Sequence, residues 1–244
     1  MRLLLDAGNT RLKWAWWDHG FKPGGTVVHA GRSPQAVMDA IDLKLVPKQV
    51  WVANVAAPTL HAAIEDWAQR QYNVMPRWVV SQATACGVHS AYAQPEKLGV
   101  DRWLALIAAY HRVHGAAIVV DAGTALTLDV VDARGQHLGG LIAPGLGTQR
   151  QSLWKGTQVR ADTAQGPVHW LANHTDAAVA WGTLQGVLGL IERVYAAIRS
   201  EHAGIVPIMT GGEATQLMPH LDSGWQWVPD LVLEGLARIA TEAS

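Results

Sequence analysis

Two stretches of this chain repeat one another, and the repeat restricts it to few folds. Asp6-Ala7-Gly8-Asn9-Thr10 follows the apolar run Leu3-Leu4-Leu5. Asp121-Ala122-Gly123-Thr124-Ala125 follows Ala116-Ala117-Ile118-Val119-Val120, 115 residues later. In each copy a buried strand ends on a carboxylate, turns at Gly and resumes as a second strand, Arg11 to Trp17 or Leu126 to Val131. Gly20 and Gly135 follow at equivalent places. The pattern reads as two copies of one supersecondary unit, each presenting an acidic β-hairpin.

The surrounding pattern repeats as well. The first copy reads as strands over 2–6, 11–17 and 26–30, then a helix from Pro34 to about Leu45 capped by Ser33. A strand over 49–55, a helix to about Gln71 and a short strand over 77–80 complete it. Residues 81–97 read as a connection, and Leu98 to Val113 as a largely buried helix. The second copy reads as strands over 118–121, 126–131 and 137–143, a short helix near 148–153, an irregular stretch over 159–168 and a long helix from Thr175 to Ser200. A strand over 205–209, a short helix to about Leu217, a strand over 226–228 and a closing helix to Ala240 follow. Three antiparallel strands followed by β-α-β units predict a mixed sheet with helices on its faces. Strand parity puts Lys13 on the side of Arg11, away from Trp14 and Trp16. Gly182, Gly186 and Gly189 on the long helix would let another backbone approach closely.

Composition excludes several function classes. With 244 residues, 49% of them hydrophobic, the chain can build one large core or two small ones. The 19 Lys and Arg nearly balance the 20 Asp and Glu, so nucleic acid is not the expected partner. Cys86 is the one cysteine, which rules out an internal disulfide and suits a reducing cytoplasm. The apolar run at the start stops at Asp6, too early for a signal peptide, and no run nears the roughly 18–20 residues of a membrane span. The 12 Trp are expected in the core, nearly all of them.

Glycine at a strand–turn–strand lets backbone N–H groups approach a phosphate. Asn9 and Thr10 add side-chain donors, Lys13 a cation, and Asp6 and Asp121 hard oxygen ligands of the kind that hold Mg²⁺, directly or through water. Gly99-Val100-Asp101-Arg102-Trp103 opens an apolar helix. Asp101 there is suited to accept a hydroxyl proton, and Arg102 to grip a carboxylate. A carboxylate in a first turn also simply complements the helix dipole. Thr210-Gly211-Gly212-Glu213 follows a strand, where adjacent glycines let a flat ring or ribose lie against backbone. No P-loop, dinucleotide fingerprint or zinc motif occurs. His111 and His114, three apart on a helix, lack a third ligand and read as surface or packing residues.

The D-x-G-N-T hairpin, G-x-D-R-W, the D-x-G-T-A hairpin, G-x-x-x-P-G (Gly140 to Gly145) and the strand–GGE turn, in this order over nearly the whole chain, resemble a type III pantothenate kinase. The hairpins alone resemble the wider acetate kinase, sugar kinase, Hsp70 and actin superfamily. The resemblance implies two ribonuclease-H-like (actin-like ATPase) halves, 1–90 and 91–244, each α/β with a mixed sheet flanked by helices and with the ATP cleft between them. It implies ATP-dependent phosphorylation of pantothenate, the first step of coenzyme A synthesis, in the cytoplasm. Asp6, Ala7, Gly8, Asn9, Thr10, Arg11, Leu12 and Lys13 would bind ATP, with Thr124 from the second hairpin. Asp101 would be the catalytic proton acceptor. Tyr92, Gly99, Val100, Asp101, Arg102 and Thr175 would contact pantothenate. Asp121 would hold a monovalent cation, potassium or ammonium, beside the Mg²⁺ that accompanies ATP. The family pattern implies a homodimer, with the Gly-punctuated helix from Thr175 as part of its interface. A related small-molecule kinase of the superfamily and a non-catalytic regulatory accessory protein are the alternatives.

Overall fold

The run Leu3-Leu4-Leu5 has no polar alternation because both of its faces are covered. It lies in β1 (Arg2–Ala7), where Leu3, Leu4, Leu5 and Ala7 are fully buried. The computed structural model describes residues 1–156 and 170–243. In it β1 is the central strand of a five-stranded sheet. β2 (Arg11–Trp17) pairs antiparallel with β1, and β3 (Phe21–Val28) antiparallel with β2 at the edge. β4 (Gln49–Asn54) runs parallel to β1, and β5 (Arg77–Val79) parallel to β4. Helices α1 (Pro34–Asp39) and α2 (Pro58–Tyr72) supply Val37, Leu60, Ile64 and Trp67 to a core with Leu3, Leu5, Leu12 and Val52.

Two boundaries differ from expectation for packing reasons. β3 begins at Phe21, not Thr26, because Gly24 and Gly25 are strand residues that accommodate Trp14. A Cβ on Gly24 would lie 2.3 Å from Trp14 Cδ1, and one on Gly25 2.4 Å from Trp14 Cζ2. The β2–β3 register shifts at that point. α1 has the expected Ser33 cap, whose Oγ accepts from Ala36 N–H at 3.3 Å, but it ends at Asp39 rather than near Leu45. Leaving the helix there lets Ile41 and Leu43 join the core.

The connection 81–97 contains a small hairpin, β6 (Thr84–Ala85) and β7 (Val88–His89). Its turn residues Cys86 and Gly87 both have positive φ, 49° and 73°. That two-residue geometry favours right-twisted strands but normally selects Asn or Gly. Here Glu242 compensates, accepting from Cys86 N–H at 2.9 Å and Sγ–H at 3.1 Å. α3 (Val100–Val113) and α7 (Leu231–Glu242) cross at Gly235, where a Cβ would lie 2.0 Å from Leu104 O. α7 packs on β1, β2 and β4. His111 is a packing residue, its Nε2–H donating to Cys86 O at 2.8 Å.

The second sheet repeats the first. β8 (Ala117–Ala122) pairs antiparallel with β9 (Ala125–Val131), and β10 (His137–Pro144) lies beside β9. β11 (Val206–Thr210) is parallel to β8, and β12 (Gln226–Trp227) to β11. The orders β3-β2-β1-β4-β5 and β10-β9-β8-β11-β12 match strand for strand. α4 (Leu146–Gly156) and α5 (Thr175–Glu201) follow β10, and α6 (Ala214–Leu217) follows β11. Leu126, Leu128, Leu184, Leu188, Ile191 and Met209 form the core. The stretch 159–168, expected to be irregular, lies outside the described residues.

Contacts group residues 1–114, 134–137 and 230–244 into one compact unit, and 115–133 and 138–229 into another. This partition differs from a division at 90: α3 and α7 pack with the first sheet. Tryptophan is also less uniformly internal than expected. Trp16, Trp51, Trp67, Trp103 and Trp225 are buried, but Trp154, Trp170 and Trp227 are exposed. No described helix is long and apolar enough to cross a membrane.

Candidate active site

At the first hairpin, Asp6 is the penultimate residue of β1 and stands in register with Lys13 on β2. Directly opposed residues of an antiparallel pair share a face, so carboxylate and ammonium stems rise on the same side. Trp14 and Trp16 pack into the core on the other side, as parity predicts. Gly8 N–H donates to Arg11 O at 3.0 Å and closes the turn. His29 buttresses it, with N–H to Thr10 O at 3.0 Å and Nε2–H to Gly8 O at 2.7 Å. Ala7 and Leu12 are fully buried, so their side chains serve the core. Asn9 and Arg11 are exposed, and Asp6, Thr10 and Lys13 partly so.

The same unit holds the G-x-D-R-W segment. Gly99 is the N-cap of α3 and Asp101 lies in its first turn. Asp101 Oδ1 accepts from Arg102 N–H at 2.8 Å, and a Cβ on Gly99 would lie 2.6 Å from that same oxygen. Glycine is therefore what allows the carboxylate to fold over the helix start. Arg102 is 6% exposed and its Nη1 donates to Tyr92 Oη at 3.1 Å. The guanidinium carbon lies 5.9 Å from the Tyr92 ring centre. Two residues ten apart in sequence, both expected at an acid-binding site, are thus brought together. Val100 is buried, leaving its backbone as what it can offer a ligand.

The second hairpin is one residue tighter. Ala122 pairs with Leu126, where Ala7 pairs with Leu12, so Asp121 faces Thr127 and has no lysine counterpart in register. Gly123 N–H closes this turn on Ala125 O at 3.0 Å. Since both glycine amides serve their own turns, donors toward a phosphate must come from the residues after them. Two further loops converge here. Gly211, at φ 93°, passes so close that a Cβ would lie 2.4 Å from Asp121 Oδ1 and 2.3 Å from Ala122 O. Gly145 N–H donates to Thr124 O at 3.0 Å, and a Cβ on Gly145 would lie 1.9 Å from Gly123 O. Thr148 Oγ1 donates to Thr124 O at 2.6 Å.

Glu213 locks these loops. Its Oε2 accepts from Leu146 N–H at 2.8 Å and its Oε1 from Gly147 N–H at 2.9 Å, capping α4, while its own N–H donates to Ala122 O at 2.8 Å. A carboxylate on a helix N-terminus is electrostatically favoured. Sequence reading found the G-G-E turn but not this role, because cap and helix are 66 residues apart or more. Arg150 of α4 donates to Thr183 Oγ1 at 3.2 Å and Ala180 O at 3.3 Å. Burial holds its guanidinium below the usual range, opposed by the Glu213 charge.

Thr175 is the first residue of α5, exposed, behind the cap His174. With Gln149, Leu153, Val179 and Thr183 it lines an open groove of about 470 Å³ between α4 and α5. Among the described residues no three His, Cys, Asp or Glu side chains converge as a metal site. Each hairpin presents one aspartate, Asp6 or Asp121, a hard oxygen donor of the kind that Mg²⁺ takes singly or in pairs together with phosphate oxygens and water.

The fold is that of the actin-like ATPases and sugar kinases. A Campylobacter jejuni structure described as a Baf family transcriptional activator aligns with a TM-score of 0.64 at 22% identity, covering 99% of this chain and 98% of that one. A Sinorhizobium meliloti structure described as a 2-dehydro-3-deoxygalactonokinase protein aligns with a TM-score of 0.57 at 13% identity, over 100% and 99% of the two chains. The sequence narrows the class. A model of the type III pantothenate kinase family matches residues 2–197. The type III pantothenate kinases of Nitrosococcus oceani and Laribacter hongkongensis are 36% and 38% identical, covering 100% and 98% of this chain and 95% and 98% of their own length. The chain belongs to the type III pantothenate kinase family.

Proposed function

We propose that this protein transfers the γ-phosphoryl group of ATP to the primary hydroxyl of pantothenate, forming 4′-phosphopantothenate and ADP. The observation that carries the reading is the pairing of Tyr92 and Arg102 beside Asp101 at the start of α3, in a chain of this family. Arg102 and Tyr92 bind the pantothenate carboxylate, with Gly99 and Val100 contributing backbone. Thr175 is a further contact. The hydroxyl oxygen attacks the γ-phosphorus, the bond to the β–γ bridging oxygen breaks, and the hydroxyl proton passes to Asp101. An aspartate is a weak base, but phosphoryl transfer depends mainly on positioning and charge neutralisation.

Residues 6–13 and Thr124 bind the ATP phosphates in this reading, with Lys13 as the cation and Asn9 and Thr10 as donors. Mg²⁺ would neutralise phosphate charge when bound, and Asp6 would hold it directly or through water. Asp121 holds potassium or ammonium in this reading; the residue in register with it is Thr127, a second oxygen-bearing side chain. The protein acts in the cytoplasm as a homodimer. Support for the dimer comes from α5: Gly182 and Gly189 are exposed, and a Cβ on either would meet nothing within 4 Å among the described residues, which leaves room for the close approach of a second helix.

The test is ADP release by purified protein with Mg²⁺ATP, with and without pantothenate, in K⁺ and in Na⁺. Pantothenate-dependent turnover in K⁺ is expected; its absence would overturn the reading. Activity equal in Na⁺ would remove the monovalent cation from Asp121.

A further inference from the structure

Tyr92 reaches Arg102 from a segment without regular structure, between β7 and Pro95. A phenol on such a segment keeps one orientation only if backbone and ring are both held. The strap Arg134–His137, which leads from the β9–β10 connection into the first residue of β10, holds both, and it groups with the unit that contains Tyr92 and Arg102. The strap is pinned to the β6–β7 hairpin. His89 N–H donates to Gly135 O at 2.8 Å, and Gln136 Nε2 donates to His89 O at 3.3 Å. Gly135, at φ 80°, lies so close that a Cβ would stand 2.1 Å from Gly87 O.

From this anchored strap His137 projects into the interior, 1% exposed. Its Nδ1 accepts from Ala91 N–H at 3.4 Å, fixing the residue before Tyr92. Its ring lies nearly parallel to the Tyr92 ring, 12° between planes and 6.1 Å between centres. That separation is within the range of offset stacking. Tyr92 in turn accepts from Arg102, so the three side chains form one series: His137, Tyr92, Arg102.

We propose that His137 is a positioning residue for the acceptor site, holding Tyr92 so that its phenol and the Arg102 guanidinium meet the substrate carboxylate as one unit. This rests on the pantothenate kinase reading. His137 acts through Tyr92, so its loss weakens binding of the acceptor acid and leaves ATP binding and the phosphoryl-transfer step in place.

Three variants separate the parts: His137→Ala removes everything, His137→Phe keeps the ring, and His137→Asn keeps an acceptor for Ala91 N–H. His137→Ala is expected to raise the pantothenate KM about ten-fold, with kcat and the ATP KM within about two-fold of wild type, the kind of loss a displaced binding group causes. His137→Phe and His137→Asn should each recover part of that loss. In a Tyr92→Ala background, His137→Ala should add no further rise, because the two act as one unit. Equal rises in both KM values, or additivity with Tyr92→Ala, would overturn the proposal. The crystal structure of the His137→Ala protein decides it independently of activity. The Tyr92 hydroxyl should leave hydrogen-bond distance of Arg102; a retained bond near 3.1 Å would overturn the positioning role even if pantothenate proved not to be the substrate.

Discussion

Asp6 and Lys13 face each other across the β1–β2 ladder, whereas the equivalent Asp121 faces Thr127. The difference lies in which residue occupies the opposing position, one beyond the leucine that closes each hairpin. It makes two similar hairpins chemically unequal: one pairs its carboxylate with a cation, the other with a hydroxyl.

Lys13→Met should therefore weaken nucleotide binding selectively. Its ATP KM is expected to rise about ten-fold, the order lost with one charge-assisted contact, while the pantothenate KM stays near wild type. Steady-state kinetics with each substrate varied in turn provide the check.

Asp101→Asn should lower kcat by about 10²–10⁴, the usual contribution of a general base, with ATP still binding by calorimetry. Gly99→Ala should have a related effect without touching the carboxylate chemically, since the new Cβ would lie 2.6 Å from Asp101 Oδ1 and force it to move. Wild-type turnover in Asp101→Asn would remove Asp101 from its role.

Replacing Arg102 with Leu should raise the pantothenate KM far more than the ATP KM, by roughly a hundred-fold for loss of a buried charged hydrogen-bonding group. Equal effects on the two substrates would identify Arg102 as structural.

Glu213→Ala leaves the amides of Leu146 and Gly147 without their carboxylate acceptor. Two lost charge-assisted bonds should cost about 1–3 kcal/mol, read as a lower thermal midpoint. The ATP KM should rise as well, because the Thr124 and Gly145 loops lose their common anchor.

Cys86 offers a pH test. Burial, then the Glu242 hydrogen bond and charge, push its thiol up to about 12. The folded state thus holds the thiol proton more tightly than the unfolded state, whose pKa is near 8.5. Its contribution to stability is complete below about pH 8.5 and is lost as pH rises from there toward 12. Iodoacetamide at pH 8 should label Cys86 only in denaturant; rapid labelling of the native protein would contradict this environment. Denaturation midpoints should fall between pH 8 and 10.5, and less so in Cys86→Ser.

Much of this protein is local and hence legible in its residues. The buried run before each aspartate, the Ser33-Pro34 helix start and the mixed strand pattern depend on periodicity and backbone chemistry within a few residues, so both sheets could be anticipated almost strand by strand. Hairpins whose side chains break local rules were not legible. Cys86 at positive φ depends on Glu242, and the β3 start on how Trp14 lies over two glycines.

The order of motifs, and with it the family and the residue types for phosphate, carboxylate and proton chemistry, was determined by the sequence itself. The tertiary structure alone decided how those residues are held. Gly211 against Asp121, Glu213 on the start of α4, and His137 behind Tyr92 are contacts between residues 45 to 90 apart in the chain. Such contacts leave no periodic trace, because their geometry is set by packed strands and loops that exist only once the chain has folded.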